Sequence, residues 1–479
     1  MIRTPLSQVI SVASKELREI RRDSATMILL GGIVAVLVIS CVVYFFNWKS
    51  PFEKQVQRNQ QAREAWLSQQ TDSPHQATHT GTTIYKTPSP VRSIDPGLSP
   101  LLGTVVQLES HQRHEPQRSL GEDEVDFLQL EFTSPALLIQ ALMPLAVLLI
   151  SHSIISKERE LGTELLLSSF RLSPRLLYCG KLTALFSVSL LLSIPLLIAS
   201  LLPAYVLTSE SGMSMSEYLG RVVLLYALSL LYLSAWNITA VAVSSRCSSS
   251  TTLILLLTLW MAWTIVLPKM AVDIANSLYT LPHQHSLQVS RETAIRQGTD
   301  GQVTLEQFNL ELEERLLKQY GVSRIEDVPV NLNAARLLAM EEFTNSIDEN
   351  TKAHIDRIHQ QQNEFLGWFE FLSPYLALRA VSSTLAGTDR YHHDDFLNSA
   401  ESYRRQLVKT MNTAEINDER PGETPELARE FWAKVPEYRY QYPAVLSVIS
   451  RVRWQILLLF MWITVALIFA LRPPQGVRT

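Results

Sequence analysis

Six stretches without Asp, Glu, Lys or Arg constrain this chain more than any other feature. Each is 18 to 28 residues long, and the remaining 337 of the 479 residues carry all 88 charges. A helix needs about 20 apolar residues to cross the hydrocarbon core of a bilayer, and one charge at its centre costs about 2.5–3.5 kcal/mol. The stretches therefore predict six transmembrane helices. The predicted spans are residues 24–48 (TM1), 132–156 (TM2), 182–207 (TM3), 222–245 (TM4), 248–268 (TM5) and 454–471 (TM6).

Basic residues in the short segments between spans predict the orientation. They concentrate in residues 1–23, in the TM2–TM3 connection 157–181, at Arg246 and in the tail 472–479. With six spans all four regions lie on one side, which the positive-inside rule makes cytoplasmic. Both termini are then cytoplasmic, and residues 49–131 and 269–453 form two large extracytoplasmic inserts. The first span is too long for a signal peptide, and no A-x-A-like cleavage site follows it.

The first 23 residues contain an amphipathic pattern. Leu6, Ile10 and Leu17 recur at helical spacing, while charged side chains such as Lys15 and Glu16 fall on the other face. Such a helix can lie in the headgroup layer. We therefore expect an interfacial amphipathic helix before TM1.

The two inserts differ in pattern. The first begins as a helix and then becomes rich in Pro, Thr, Ser and Gly, which indicates turns. The second predicts helices after a capping box at Thr304 and Gln307 and near residues 331–367 and 391–413, each with an apolar stripe that must be buried. The predicted fold class is an all-α membrane protein with six transmembrane helices, an N-terminal interfacial amphipathic helix and a mostly helical extracytoplasmic domain.

Several kinds of chemistry have no motif in this sequence. We find no G-x-x-x-x-G-K-[ST] loop for nucleotide phosphates, no H-E-x-x-H and no G-x-S-x-G. The net charge of −4 does not favour nucleic-acid binding. The three cysteines lie in or beside apolar segments, where we expect small buried hydrophobes. We therefore predict that the protein is not an enzyme and has no catalytic residue and no cofactor. If it moves a solute against a concentration gradient, a partner must supply the energy.

Ten of the eleven histidines lie outside the predicted spans. Histidine is a common metal ligand, but the inserts also hold most of the polar residues. Pro74 and the Thr-rich run after Ala77 argue against a helix that would align His75 and His79. Surface or packing histidines are the preferred interpretation, and a metal site is the alternative. The ten are His75, His79, His111, His114, His283, His285, His354, His359, His392 and His393.

The TM2–TM3 connection carries the most specific pattern. It reads SKERELGTELLLSSFRLSPRLLYCGKL, with four charges followed by a short apolar helical run. A short helix on the cytoplasmic surface between two spans can transmit force from a docked protein. A plain basic loop that only fixes topology is the alternative.

At these residues the chain resembles the permease subunits of ABC-2-type transporters. The segment is similar to that family's E-R-x-x-G-T-x-E-x-L-L…S-x…G-K pattern, except that Thr163 and Glu164 adjoin. The inserts resemble those of a bacterial subfamily with large extracytoplasmic inserts of unknown function. The resemblance implies a coupling helix that contacts an ATPase subunit. The implied contact residues are Lys157, Glu158, Arg159, Gly162, Thr163, Glu164 and Leu166.

The resemblance also implies partners and a location. It implies cytoplasmic ABC ATPase subunits, a second permease that is identical or a sister chain, and a place in the bacterial inner (plasma) membrane. The inserts would gate the path, receive cargo or bind a periplasmic partner, and no nucleic acid is expected. Two alternatives to export stay open. One is a mechanotransmission protein that moves its extracytoplasmic domain without transport, and the other is a metal-handling membrane protein.

Overall fold

A computed structural model describes most of the chain. The described residues are 4–111, 113–114, 116–117, 133–163, 173–206, 211–297, 304–329 and 332–472. Of the residues that the structure describes, 78% are helical and few are in strands. Six helices in the described residues are long and apolar enough to cross a membrane. The predicted fold class, an all-α membrane protein, is confirmed.

Two of the six spanning helices, the second and the fifth, contain interruptions. π-Helical turns occur at Leu138–Leu142 and Ala262–Val266, and the second span is broken at 152–155 before a last turn, Ser156–Glu160. The spans are α2 (Ser24–Leu67), α4 (Pro135–Glu160), α5 (Pro174–Ala199), α6 (Met215–Ser244), α7 (Ser249–Leu278) and α15 (Arg453–Leu471).

The remaining elements lie at the two ends of these spans. One helix, α1 (Pro5–Arg22), precedes the first span. We call its side of the bundle the N-terminal face and the opposite side the insert face. The insert face carries α3 (Pro74–Thr80), β1 (Thr82–Tyr85), β2 (Val105–Leu108), α8 (Gln284–Gln297), α9 (Leu305–Tyr320), α10 (Leu332–Leu372), α11 (Pro374–Ala386), α12 (Arg390–Ile416), α13 (Pro425–Trp432) and α14 (Val445–Arg451).

The first span and the start of the first insert form one helix. α2 runs for 44 residues through Pro51, which corresponds to about 66 Å at 1.5 Å per residue. Good helix formers continue after the apolar run, and Phe52 and Trp66 are buried against the insert. α2 therefore connects the N-terminal face directly to the insert.

The rest of the first insert contains structure that the sequence did not predict. β1 and β2 pair antiparallel, with Thr82 opposite Leu108. Our expectation that Pro74 would prevent a helix through His75 and His79 is wrong. The Ser73 side chain caps α3 by accepting from the backbone N–H of Gln76 at 3.2 Å. Pro74 occupies the first turn, where its missing N–H costs nothing.

The second insert follows its apolar pattern more closely. The capping box at Thr304 and Gln307 is present, and Gly321 ends α9 in the left-handed conformation. α12 buries Phe396 and Met411 completely. The stripes predicted for these helices do pack in the core of the insert.

The insert is joined to the spans by a buried arginine. Arg221 in α6 is fully buried, and its guanidinium donates to the backbone carbonyls of Leu385 at 2.9 Å and Pro443 at 2.5 Å. Two N–H groups of one guanidinium therefore hold the end of α11 and the chain before α14 against the fourth span.

Candidate functional site

The candidate site consists of the last turn of the second span and the residues that follow it, 157–163. Lys157 is exposed, Leu161 is 68% exposed, and Gly162 has φ +72° with open space where a side chain would be. Thr163 donates from its hydroxyl to the Glu158 carbonyl at 3.1 Å. Residues 157–163 thus present an apolar and basic edge on the N-terminal face. Glu164 and Leu166, also predicted contacts, lie outside the described residues.

Glu158 does not belong to that exposed edge. Its carboxylate binds the Lys15 ammonium of α1 at 2.8 Å and the Lys181 ammonium of α5 at 3.0 Å. Lys181, which is 1% exposed, also binds the Glu16 carboxylate at 2.8 Å and the Ile154 carbonyl at 2.7 Å. Two cations and two anions from three segments therefore form one neutral network. We call Lys15, Glu16, Glu158 and Lys181 the charge cluster.

The electrostatics around Lys15 favour its ionised form. Burial alone would lower the pKa of Lys15, but the hydrogen bond that its ammonium donates to Glu158 and the charges of Glu16 and Glu158 raise it above its ordinary value. Lys15 is therefore a cation at every physiological pH, and the α1 contact does not switch off by deprotonation.

A glycine lets α1 lie directly against α5. A Cβ on Gly180 would meet the Val12 Cβ at 2.5 Å and the Val9 carbonyl oxygen at 3.1 Å. The neighbouring Lys181 points its ammonium into the charge cluster. The Gly-Lys pair at the end of the resemblance pattern thus has a structural role here, because it allows helix contact and supplies the buried cation.

The other side of the segment is tied to the joint between the fourth and fifth spans. The Arg159 guanidinium donates to the Ser245 carbonyl at 2.7 Å and to the Cys247 carbonyl. The Glu160 carboxylate accepts from the Ser249 backbone N–H at 2.7 Å and so caps α7. Residues 157–160 are therefore bonded at once to α1, α5, α7 and the joint that follows α6.

The predicted interfacial residues divide between two environments. Leu6 is 69% exposed and Ile10 is 55% exposed, on a helix that lies beside the spans, which suits contact with lipid. Leu17 packs partly against the main core. Glu16 was assigned to the polar face, yet it is buried because it pairs with Lys181. Sequence reasoning missed Lys15, Glu16 and Lys181 as members of the site.

His392 and His393 of α12 lie in a packed core, and their side chains are not arranged to bind a metal ion. The fully buried His392 bonds through Nδ1 to the Asp389 carboxylate at 2.6 Å. His393 is also buried. Burial, and then the charges of Lys86 and Arg390, lower the pKa of His393 to about 4.

We expect the stability of this core to fall as the pH drops from about 6.5 to 4. An unfolded histidine has a pKa near 6.5. Between about pH 6.5 and 4 the unfolded chain is therefore protonated at His393, whereas the folded chain is not. Protonation of His393 lowers the free energy of unfolding by at most about 3 kcal/mol over this pH range. Thermal unfolding at pH 7.5, 6 and 4.5 should show a smaller acid-induced loss in His393→Gln than in the unmodified chain. The control His283→Gln, at an exposed histidine, should lose as much stability in acid as the unmodified chain does. An equal acid-induced loss in the unmodified chain, His393→Gln and His283→Gln would contradict the role of His393.

Comparison with known proteins concerns the second insert. Residues 289–441 match a family described as a domain of unknown function, DUF3526. The matched segment begins within α8 and includes α9 to α13, about a third of the chain. No match is found among curated proteins.

Proposed function

We propose that this chain is the permease subunit of an ATP-driven ABC-2-type exporter, powered by a separate ATPase that docks on the segment between the second and third spans. One observation carries the proposal. Residues 157–163 offer an exposed edge around Leu161, while Glu158, Arg159 and Glu160 anchor that edge to α1, α5, α7 and the joint that follows α6. A docking surface that must transmit force has to be exposed to its partner and firmly bonded to the helices that it moves.

In this account the ATPase hydrolyses ATP and the permease contributes no covalent chemistry. Closure of the ATPase pushes on the docking segment, and the charge cluster passes the displacement to α1 and α5. Tilting of the second and third spans then opens a path towards the insert face. The N-terminal face is cytoplasmic, both termini lie there, and the membrane is the bacterial inner membrane. A second permease, identical or a sister chain, completes the transmembrane part.

Purification in mild detergent tests the proposal. We expect an ATPase subunit with a G-x-x-x-x-G-K-[ST] loop to co-purify with the chain. Removal of the anchors of the docking edge by Glu158→Ala with Arg159→Ala should weaken its association while the chain stays in the membrane. Purification of the chain always alone, or association unchanged in that variant, would contradict the proposal.

A second candidate function, mechanotransmission, is favoured by one specific observation. Only Asp23 separates α1 from the 44-residue α2. At the far end of α2 the Trp66 indole donates to the Trp432 carbonyl at 3.0 Å, and the Arg63 guanidinium donates to the Val435 carbonyl at 3.0 Å. A displacement of α1 can therefore reach the insert through one rigid helix.

Reconstituted vesicles separate the two functions. Export predicts ATP-dependent flux of a solute together with movement of the spans. Mechanotransmission predicts ATP-dependent movement of the insert helices without flux of any solute.

A further inference from the structure

Three histidines of the first insert converge although they are distant in the sequence. His75 and His79 lie one turn apart on α3, and their Nε2 atoms are 3.1 Å apart. His111 follows β2, and its ring centroid lies 5.7 Å and 5.3 Å from the other two. One ring nitrogen from each residue lies within 4.8 Å of the others. We call these residues the histidine triad.

The other ring nitrogen of each histidine faces an oxygen atom. His75 Nδ1 lies 2.8 Å from Asn412 Oδ1, and His79 Nδ1 lies 3.3 Å from Ser110 Oγ. His111 Nδ1 lies 3.3 Å from a Glu341 carboxylate oxygen. Histidines that bind metal usually donate their second N–H to such an oxygen, which fixes the tautomer and leaves Nε2 for the ion.

The backbone of His111 is held in an uncommon conformation. Its φ is +63°, in the left-handed region that non-glycine residues rarely adopt. Its N–H donates to Glu341 at 2.7 Å, and its carbonyl accepts from Arg291 at 3.3 Å. Glu341 in turn pairs with the buried Arg404 of α12. Two ionic residues of the second insert thus hold His111 beside α3, at a strain that the surrounding contacts must offset.

We propose that His75, His79 and His111 bind a divalent transition-metal ion of the zinc class. Tetrahedral Zn²⁺ holds two imidazole nitrogens about 3.3 Å apart, close to the separation of the α3 pair. Ring rotation that shortens the widest nitrogen separation by about 1.5 Å completes a three-histidine site with an open fourth position. Imidazole ligands also suit Cu²⁺ and Ni²⁺. The proposed metal site does not depend on the proposed role in export.

Bound metal would join the two inserts. The ligands come from the first insert, whereas Asn412, Glu341 and Arg291, which orient them, come from the second. The ion would therefore stabilise the interface between α3 and α12, a helix of the segment that matches DUF3526.

Metal titration of the full-length chain in detergent, after treatment with a chelator, tests the site. We expect one Zn²⁺ per chain, and Co²⁺ should give the visible absorption of a tetrahedral site. His79→Ala should weaken binding by at least ~100-fold, and Asn412→Leu by about 10–100-fold because the imidazole of His75 loses its orienting partner. His354→Ala, which removes an exposed histidine of α10, is the matched control and should bind as the unmodified chain does.

Two results would overturn the proposal. One is the absence of Zn²⁺ binding by a folded chain at ~100 μM metal, which would make the triad a hydrogen-bonded histidine cluster only. The other is equal binding by His79→Ala and His354→Ala, which would place the ion elsewhere. Since His79 is exposed, its truncation should not unfold the insert, and a thermal unfolding curve of each variant checks this.

Discussion

Replacing Lys181 with methionine is expected to lower the free energy of unfolding by about 3–5 kcal/mol, because it removes the buried one of the two cations that Glu16 and Glu158 share and leaves one anion of the cluster unbalanced. Methionine keeps most of the volume, so the loss reports the charge rather than a cavity. If the charge cluster transmits force, ATPase activity in the assembled transporter should also become independent of the permease. Thermal unfolding and ATPase assays measure the two effects separately.

A matched lysine provides the control. Lys269 is 77% exposed and pairs with Asp273 at 3.5 Å, so Lys269→Met should change the free energy of unfolding by less than about 1 kcal/mol. Adding Glu16→Gln to Lys181→Met should restore part of the stability, because Lys15 and Glu158 then balance each other. Equal stabilities of Lys181→Met and Lys269→Met would contradict the buried network.

Replacing Gly180 with alanine is expected to push α1 away from the third span. The new Cβ would meet the Val12 Cβ at 2.5 Å, which neither backbone can avoid without moving. Overpacking of this kind costs about 1–3 kcal/mol, and the displaced helix would draw Lys15 and Glu16 out of the charge cluster. We therefore expect reduced thermal stability and faster proteolysis near residues 15–22.

The control for this prediction is another glycine in a span. A Cβ on Gly32 meets nothing within 4 Å, so Gly32→Ala should be neutral or stabilise its helix by up to about 1 kcal/mol. Combining Gly180→Ala with Val12→Gly should recover part of the loss, since the methyl group is then supplied from the opposite side. If Gly180→Ala is as stable as Gly32→Ala, α1 does not pack as described.

The fold followed from the sequence wherever a local pattern determined it. Charge-free runs marked the spans because lipid excludes charge over a fixed length. The capping box at Thr304 and the glycine at 321 marked both ends of α9 because each satisfies backbone groups locally.

The site depended on contacts that no local pattern encodes. Glu16 and Lys181 are 165 residues apart, so helical periodicity assigned Glu16 to a solvated face. Pro74 and the Thr-rich run after Ala77 were interpreted as evidence against a helix, whereas Ser73 caps a helix whose first turn accommodates Pro74. That helix aligns His75 with His79, and contacts from the second insert place His111 beside them.

Photocrosslinking from position 161 tests the central claim most directly. A photoreactive amino acid replaces Leu161 in native membranes, and a second probe replaces Leu278, which is 60% exposed at the insert-face end of α7. We predict that only the probe at 161 forms an adduct with a protein that mass spectrometry identifies as carrying a nucleotide-binding loop. Adducts at 161 with lipid or with this chain alone would contradict the claim that an ATPase drives residues 157–163.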